Sequence, residues 1–377
     1  MKEHFLLDED IIFLNHGSFG ACPKVVFENY QFWQSELEKQ PVNFFTKILY
    51  PELEKSRRSV ANFLGCDQNE LIFFQNPTTA VSNIICNLNL KPGDEVLMSS
   101  HEYGALIRSW EEWGNANKVK IIKQDLRIPL VDENNFFQDF KKGFTSKTKV
   151  LFLSHITSAT GLIFPINRVL SYAKEKGIIT IIDGAHVPAH IPLNIHDLGC
   201  DFYVGALHKW LCGPKGSSFL FVKKDNQKWM KPLVYSWGKY GDDPGPSEFL
   251  QDFQWQGTRD MAAFLAIPTA IKFYENYILD NSKNCRKNIK YAFEKLKILF
   301  KIDPISIGGD WIGQMVSYPL PKSMPLNLKE ELWNNFKIEV PIFDWNGHRY
   351  IRISMQIYNK KSDIDILLNA LDNFLKV

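Results

Sequence analysis

Three short stretches of the chain hold residue types that bind an anion, pair with a cation and attack a carbonyl. In Asn76-Pro77-Thr78-Thr79-Ala80, Pro77 suits the first turn of a helix. The backbone N–H groups and hydroxyls of Thr78 and Thr79 then sit at a helix N-terminus, where an anion can bind. Ordinary N-capping would use the same residues. In Asp183-Gly184-Ala185-His186, a carboxylate follows an apolar run. Burying it is costly unless it meets a cation or hydrogen-bond donors. A protonated pyridine nitrogen would serve, and capping of the next turn is the plainer alternative. In Leu207-His208-Lys209-Trp210, a lysine lies between another apolar run and the turn Gly213-Pro214-Lys215-Gly216. A partly desolvated amine has a lowered pKa and attacks aldehydes, whereas a solvated turn lysine does not stand out.

The elements that must position these groups are legible as apolar runs at 71–74, 95–98, 119–122, 150–153, 178–182, 202–204 and 219–222. They are short, apolar on both faces and separated by helical or loop stretches, as buried strands of a largely parallel sheet sandwiched by helices are. A helix is predicted over 51–64, stopped by Gly65. In an open parallel sheet, ligands bind beyond the carboxyl ends of the strands. Thr78-Thr79, Asp183 and Lys209 each follow such a run. Together they are the handles of pyridoxal 5'-phosphate: a phosphate anchor, a partner for the pyridine nitrogen and a Schiff-base lysine.

After about residue 260 the pattern changes to one or two long amphipathic helices over 264–300, short strands near 315–318 and 350–355, and a last helix from Ser362. Asp365 would act as its capping-box partner. These elements predict a second, smaller α/β domain. The glycine-rich 238–245 reads as a loop. The boundaries are an N-terminal segment at 1–20, a large cofactor-binding domain at 21–262 and a small C-terminal domain at 263–377.

Composition narrows the class. The 377 residues carry 44 basic and 42 acidic side chains without a basic block, which speaks against nucleic acid as a partner. No apolar stretch approaches the roughly 18 residues that span a bilayer. The acidic N-terminus lacks the apolar core of a signal peptide. The six cysteines are scattered without a C-x-x-C pair, so neither a metal site nor a disulfide framework is expected, and a reduced cytoplasm fits. Trp210 and Trp255 flank motifs and could wall the cofactor or pack in the core, and Cys212 reads as a small packed residue.

The motifs NHGSFG at 15–20, NPTTA at 76–80, HEYGA at 101–105, SHITSATG at 154–161, DGAH at 183–186, LHKW at 207–210, QGTRD at 256–260 and RIS at 352–354 span nearly the whole chain. In this set the sequence resembles the class V aminotransferase family of fold-type I pyridoxal-phosphate enzymes, in its isopenicillin N epimerase-like branch. The resemblance implies that Lys209 forms the internal aldimine and shuttles the Cα proton, and that Asp183 pairs with the pyridinium nitrogen. It places His186 near the phenolic oxygen and Tyr103 stacked on the ring, with His101 as the alternative. Thr78, Thr79 and His208 would bind the phosphate, and Thr258 would reach the phosphate of a neighbouring subunit in a homodimer with shared sites. Arg352 would clamp the substrate carboxylate, and Asn15 and His16 would line the substrate pocket. The chain departs from the family at Ala206, where Ser or Asn helps hold the phosphate, and at Ser158, where many relatives place Asn near the phenolic oxygen.

Four reactions compete on such a cofactor. Epimerisation needs proton donors on both faces of Cα: Lys209 on one, and Tyr103, His101 or water on the other. β-Elimination from a cysteine-like substrate needs Lys209 and a good leaving group. Transamination needs room for a keto acid. Desulfuration needs a thiolate, which similar desulfurases carry in the C-terminal domain upstream of the carboxylate-binding Arg. Here no cysteine follows Cys285. The expectation is an epimerase, with a C–S lyase as the alternative. A non-enzymatic binding protein would not need Lys209, Asp183 and Arg352 together.

Overall fold

A computed structural model describes residues 1–240 and 245–376. Its main sheet has seven strands in the order Leu71–Phe74, Ser218–Val222, Phe202–Ala206, Ile179–Asp183, Thr148–Ser154, Glu95–Ser99 and Lys120–Gln124. Only Ser218–Val222 runs against the others. The apolar runs lie in these strands, with ends displaced by at most two residues.

Alternate residues of each strand feed opposite cores, as the pleat requires. Leu71, Phe73, Leu151, Leu153 and Tyr203 join one core, to which the helices Leu49–Leu64, Asn167–Glu175 and Ile267–Phe273 also contribute. Ile72, Phe74, Val150, Phe152 and Val204 join the other, with the helices Pro77–Asn87 and Gly104–Asn117. This two-sided burial explains why the strands are apolar throughout rather than alternating. The parallel strands end together on one edge, where Asp183 closes one strand and Asn76, Tyr103 and Lys209 follow three others.

A second, antiparallel sheet has the order Ile342–Trp345, His348–Ser354, Met315–Pro319. Asn346 and Gly347 close its hairpin at φ values of 48° and 73°. Near the N-terminus, Ile12–Phe13 pairs in parallel with Ile338–Glu339, and Asn15 bridges Ser354. The first residues are thus tied to the chain's last third.

Two expectations change, at the last helix and at 238–245, and the region at 264–300 is resolved into its parts. The last helix is Lys361–Leu375, and its box partner is Asp363, whose carboxylate accepts the Lys360 N–H at 3.0 Å. Asp365 instead binds Lys361 and Tyr291. The helical region at 264–300 is divided into Ile267–Phe273, a π-turn at Tyr274–Ile278 and Ser282–Phe300. Of the loop expected at 238–245, residues 238–240 belong to the 3-10 turn Trp237–Tyr240, and 241–244 lie outside the described residues. Among the described residues, no helix is long and apolar enough to cross a membrane. No group of His, Cys, Asp or Glu among them could hold a metal ion.

Candidate active site

A pocket of about 170 Å³ opens at the carboxyl edge of the main sheet, and Thr78, Tyr103, Ser158, Asp183, His186 and Lys209 are among its walls. Lys209 is half-buried and lines this space. Its Nζ lies 3.0 Å from Nε2 of His186. Burial lowers the amine pKa to about 8, with nearby Asp183 opposing the shift and Arg352 adding to it. Asp183 ends its strand, is buried, and accepts the Ala185 N–H on Oδ1 at 2.9 Å. Burial pushes its carboxyl up, against that hydrogen bond and the Lys209 charge. His186 is buried, and its other ring nitrogen, Nδ1, receives the Trp210 indole N–H at 3.3 Å. Burial, then the charges of Lys209 and Arg352, holds its pKa well below the usual imidazole value. Trp210 is fully buried behind the pocket rather than in its wall, and Trp255 packs against Phe45.

At the helix N-terminus, the cap is Asn76. Its Oδ1 accepts both the Thr79 N–H at 2.8 Å and the Thr79 hydroxyl at 3.1 Å. Thr79 is therefore occupied by capping, while Thr78 faces the pocket. His208 also lines it, donating from Nδ1 to the Ser217 carbonyl at 2.9 Å. Burial lowers the His208 pKa to about 4. Ala206 is buried opposite Ser218, whose hydroxyl is committed to the Phe74 carbonyl. No hydroxyl from 218 therefore replaces the missing donor. Thr258 is exposed and not part of the pocket wall.

Arg352, in the second sheet, is 6% exposed. It donates to the Ser158 carbonyl at 2.5 Å and to Ser18 Oγ at 2.8 Å, and its Nε has no partner among the described residues. Burial lowers its pKa to about 10. Ser18, which the sequence did not single out, donates its own hydroxyl hydrogen bond to Asn15 Oδ1 at 2.5 Å, and Asn15 Nδ2 donates to Glu339 at 3.1 Å. Asn15 thus lines a neighbouring cavity of about 480 Å³ that shares Ser18 and Phe19 with the first. His16 is not in either wall. It is fully buried, with its ring nitrogens on the Tyr358 hydroxyl and the Lys209 carbonyl. The resemblance implied a place in the substrate pocket, whereas the structure sets His16 behind the lysine.

Tyr103 is 45% exposed and faces the pocket, whereas His101 is buried against Trp345 and Phe164 with Nδ1 on Thr160. Between them, Glu102 points inward and was missed by sequence reasoning. Its carboxyl receives the Ser99 hydroxyl at 2.5 Å and the Ser154 N–H at 2.9 Å. Burial raises its pKa to about 7 against those hydrogen bonds. None of the six cysteines lines the pocket. Burial pushes the Cys212 thiol up and leaves it protonated.

The Aminotransferase class-V family model matches residues 20–367, and the chain belongs to this family. It is 29% identical to the isopenicillin N epimerase of Amycolatopsis lactamdurans, over 100% of this chain and 98% of that one. It is 27% identical to a putative L-cysteine desulfhydrase of Oryza sativa subsp. japonica, over 96% and 83% of the two chains. The fold is shared with the Escherichia coli cysteine desulfurase CsdA, at a TM-score of 0.80 and 20% identity over 100% and 97% of the chains.

The cofactor is pyridoxal phosphate, and the site fits it. Among the described residues, Asp183, Lys209 and Arg352 are in no ion pair. A buried carboxylate, a half-buried amine and a buried guanidinium, none of them in a direct ion pair, are costly to keep charged. A pyridinium nitrogen, an aldehyde and a substrate carboxylate are the respective partners they lack.

Proposed function

We propose that this pyridoxal-phosphate enzyme removes the Cα proton of an amino-acid substrate through Lys209 and is isopenicillin N epimerase-like. The observation that carries the proposal is the half-buried Lys209 amine, 3.0 Å from His186 and with its pKa lowered to about 8, in the same pocket as Asp183. A base works best when its pKa lies near the working pH.

Bound pyridoxal phosphate supplies an electron sink that makes the Cα–H bond acidic. Asp183 would hold its pyridine nitrogen, Thr78 and His208 its phosphate, and His186, Ser158 and Tyr103 its ring. Arg352, oriented by Ser18 and the Ser158 carbonyl, would bind the substrate carboxylate. Lys209 Nζ takes the Cα proton from one side. In epimerisation the Tyr103 hydroxyl, or water, returns a proton from the other side, so substrate and product differ only in configuration. We further propose a homodimer in which the exposed Thr258 reaches the partner's phosphate site.

The second reading is a C–S lyase, supported by the desulfhydrase relative and by a pocket without a thiol. Here Lys209 removes the same proton, the β-thiol leaves with the Cβ–S electron pair, and water releases pyruvate and ammonia. The segment upstream of Arg352, where related desulfurases carry their cysteine, is the hairpin Ile342–Trp345 and His348–Ser354. It contains no cysteine, which argues against desulfuration.

Incubating the holoenzyme with candidate amino acids in deuterated water tests this. Cα exchange with inversion supports the epimerase, and pyruvate with ammonia supports the lyase. Absence of both exchange and turnover with every amino acid would overturn the proposal.

A further inference from the structure

We infer that Trp210 is a positioning residue whose indole N–H fixes the tautomer of His186, so that His186 presents an N–H rather than a lone pair to Lys209. The inference rests on the reading of Lys209 as the reactive amine.

The indole nitrogen is a donor only. Its 3.3 Å contact with His186 Nδ1 therefore requires a lone pair on Nδ1. His186 is buried, and the nearby charges of Lys209 and Arg352 disfavour imidazolium; Asp183 lines the same pocket, but its carboxylate accepts the Ala185 N–H and makes no hydrogen bond to the ring. The ring is accordingly neutral, and its single proton lies on Nε2. That nitrogen is 3.0 Å from Lys209 Nζ. An ammonium has three donors and no acceptor, so an Nε2–H in this position faces an acceptor only when Lys209 is the free amine. The arrangement favours the protonation state of Lys209 that attacks a carbonyl or removes a proton.

The opposite tautomer would set two N–H groups against each other at Nδ1 and leave the Trp210 donor buried without a partner. A lost buried hydrogen bond of this kind corresponds to roughly a tenfold bias or more.

Trp210 is itself held in place. Its ring lies 3.9 Å from the His190 ring at 32° and 5.1 Å from the His16 ring. His190 is also fixed in tautomer: its Nε2 accepts the Gln314 N–H at 2.7 Å, so its Nδ1 carries the proton given to the His186 carbonyl at 2.9 Å. The His186 backbone, its ring and the indole beneath are therefore tied to one another before any ligand enters.

The test is nitrogen NMR of histidine-labelled protein, without and with pyridoxal phosphate, on wild type and on Trp210→Phe. A protein carrying benzothienylalanine at 210, which keeps the bicyclic shape and lacks the N–H, guards against loss of packing. The second readout is the pH midpoint of covalent capture of pyridoxal phosphate by Lys209. The expected result is an Nε2-protonated His186 in wild type without cofactor, a tautomer mixture in both variants, and a capture midpoint raised by about one pH unit, a tenfold change. Wild-type His186 protonated on Nδ1 or on both nitrogens at pH 7 would overturn the inference. So would variants with unchanged tautomer and midpoint. Failure of Lys209 to take the cofactor would instead defeat the functional proposal and leave the tautomer measurement standing.

Discussion

Lys209 Nζ and His186 Nε2 lie 3.0 Å apart although 23 residues separate them in the chain. The contact exists because two adjacent parallel strands, Ile179–Asp183 and Phe202–Ala206, end on the same edge of the sheet. Burial lowers the amine pKa to about 8. Only the free amine attacks an aldehyde, so capture of pyridoxal phosphate by the apoprotein should accelerate as pH rises from 6 and level off above about 8. Each unit below the midpoint should slow it about tenfold. Stopped-flow absorbance across pH measures this; a midpoint near the ordinary lysine value of about 10.4 would contradict it.

Arg352 should govern substrate carboxylate binding. A guanidinium gripping two oxygens is not replaced by an ammonium. Arg352→Lys should lower kcat/KM by about 10–100-fold, the equivalent of a charged hydrogen bond worth about 1.5–3 kcal/mol. Ser18→Ala, which removes the hydroxyl that accepts from Arg352, should raise KM by a few-fold with cofactor content unchanged. Steady-state kinetics on both variants decide this, and a decarboxylated substrate analogue should show no difference between them and wild type.

Gly20 is set against the lysine loop. At φ +69°, a Cβ there would lie 2.1 Å from the His208 carbonyl oxygen and 2.7 Å from that of Lys209. Gly177 has a similar φ of +66° and open space around it. Gly177→Ala should cost about 1–2 kcal/mol, from the left-handed backbone alone. Gly20→Ala should cost roughly 3 kcal/mol or more and displace Lys209. Denaturant unfolding of the two variants measures the difference; equal losses would mean the loop yields freely.

Asp183→Asn should keep the fold and the Ala185 hydrogen bond yet lose the negative charge expected at the pyridine nitrogen. Cα–H exchange should fall by about 100-fold or more, on the order of 3 kcal/mol, while cofactor absorbance remains. Exchange monitored by proton NMR is the measurement, and near-normal exchange would remove Asp183 from this role.

Much of the main sheet was legible because strands buried on both faces must be apolar at every position, as at Leu71–Phe74 and Ser218–Val222. Asp183 and Lys209 were legible because polar groups directly after such strands need a reason. What escaped was set by distant partners. Ile12–Phe13 is too short to signal a strand, and it forms one only because Ile338–Glu339 lies beside it. The resemblance put His16 in the substrate pocket, but its ring nitrogens are taken by Tyr358 and the Lys209 carbonyl. Ser18 and Glu102 take their meaning from Arg352 and Ser154, far along the chain. The Asn346-Gly347 pair was a local hairpin signal that could have revealed Ile342–Trp345.

Reduction of the holoprotein with borohydride, followed by peptide mass spectrometry, tests the central claim most directly. The account predicts a visible absorbance band that bleaches on reduction, with one pyridoxyl adduct, located on Lys209, and no adduct in Lys209→Ala. A wild-type protein that takes up no pyridoxal phosphate, or an adduct on another lysine with Lys209 unmodified, would contradict it.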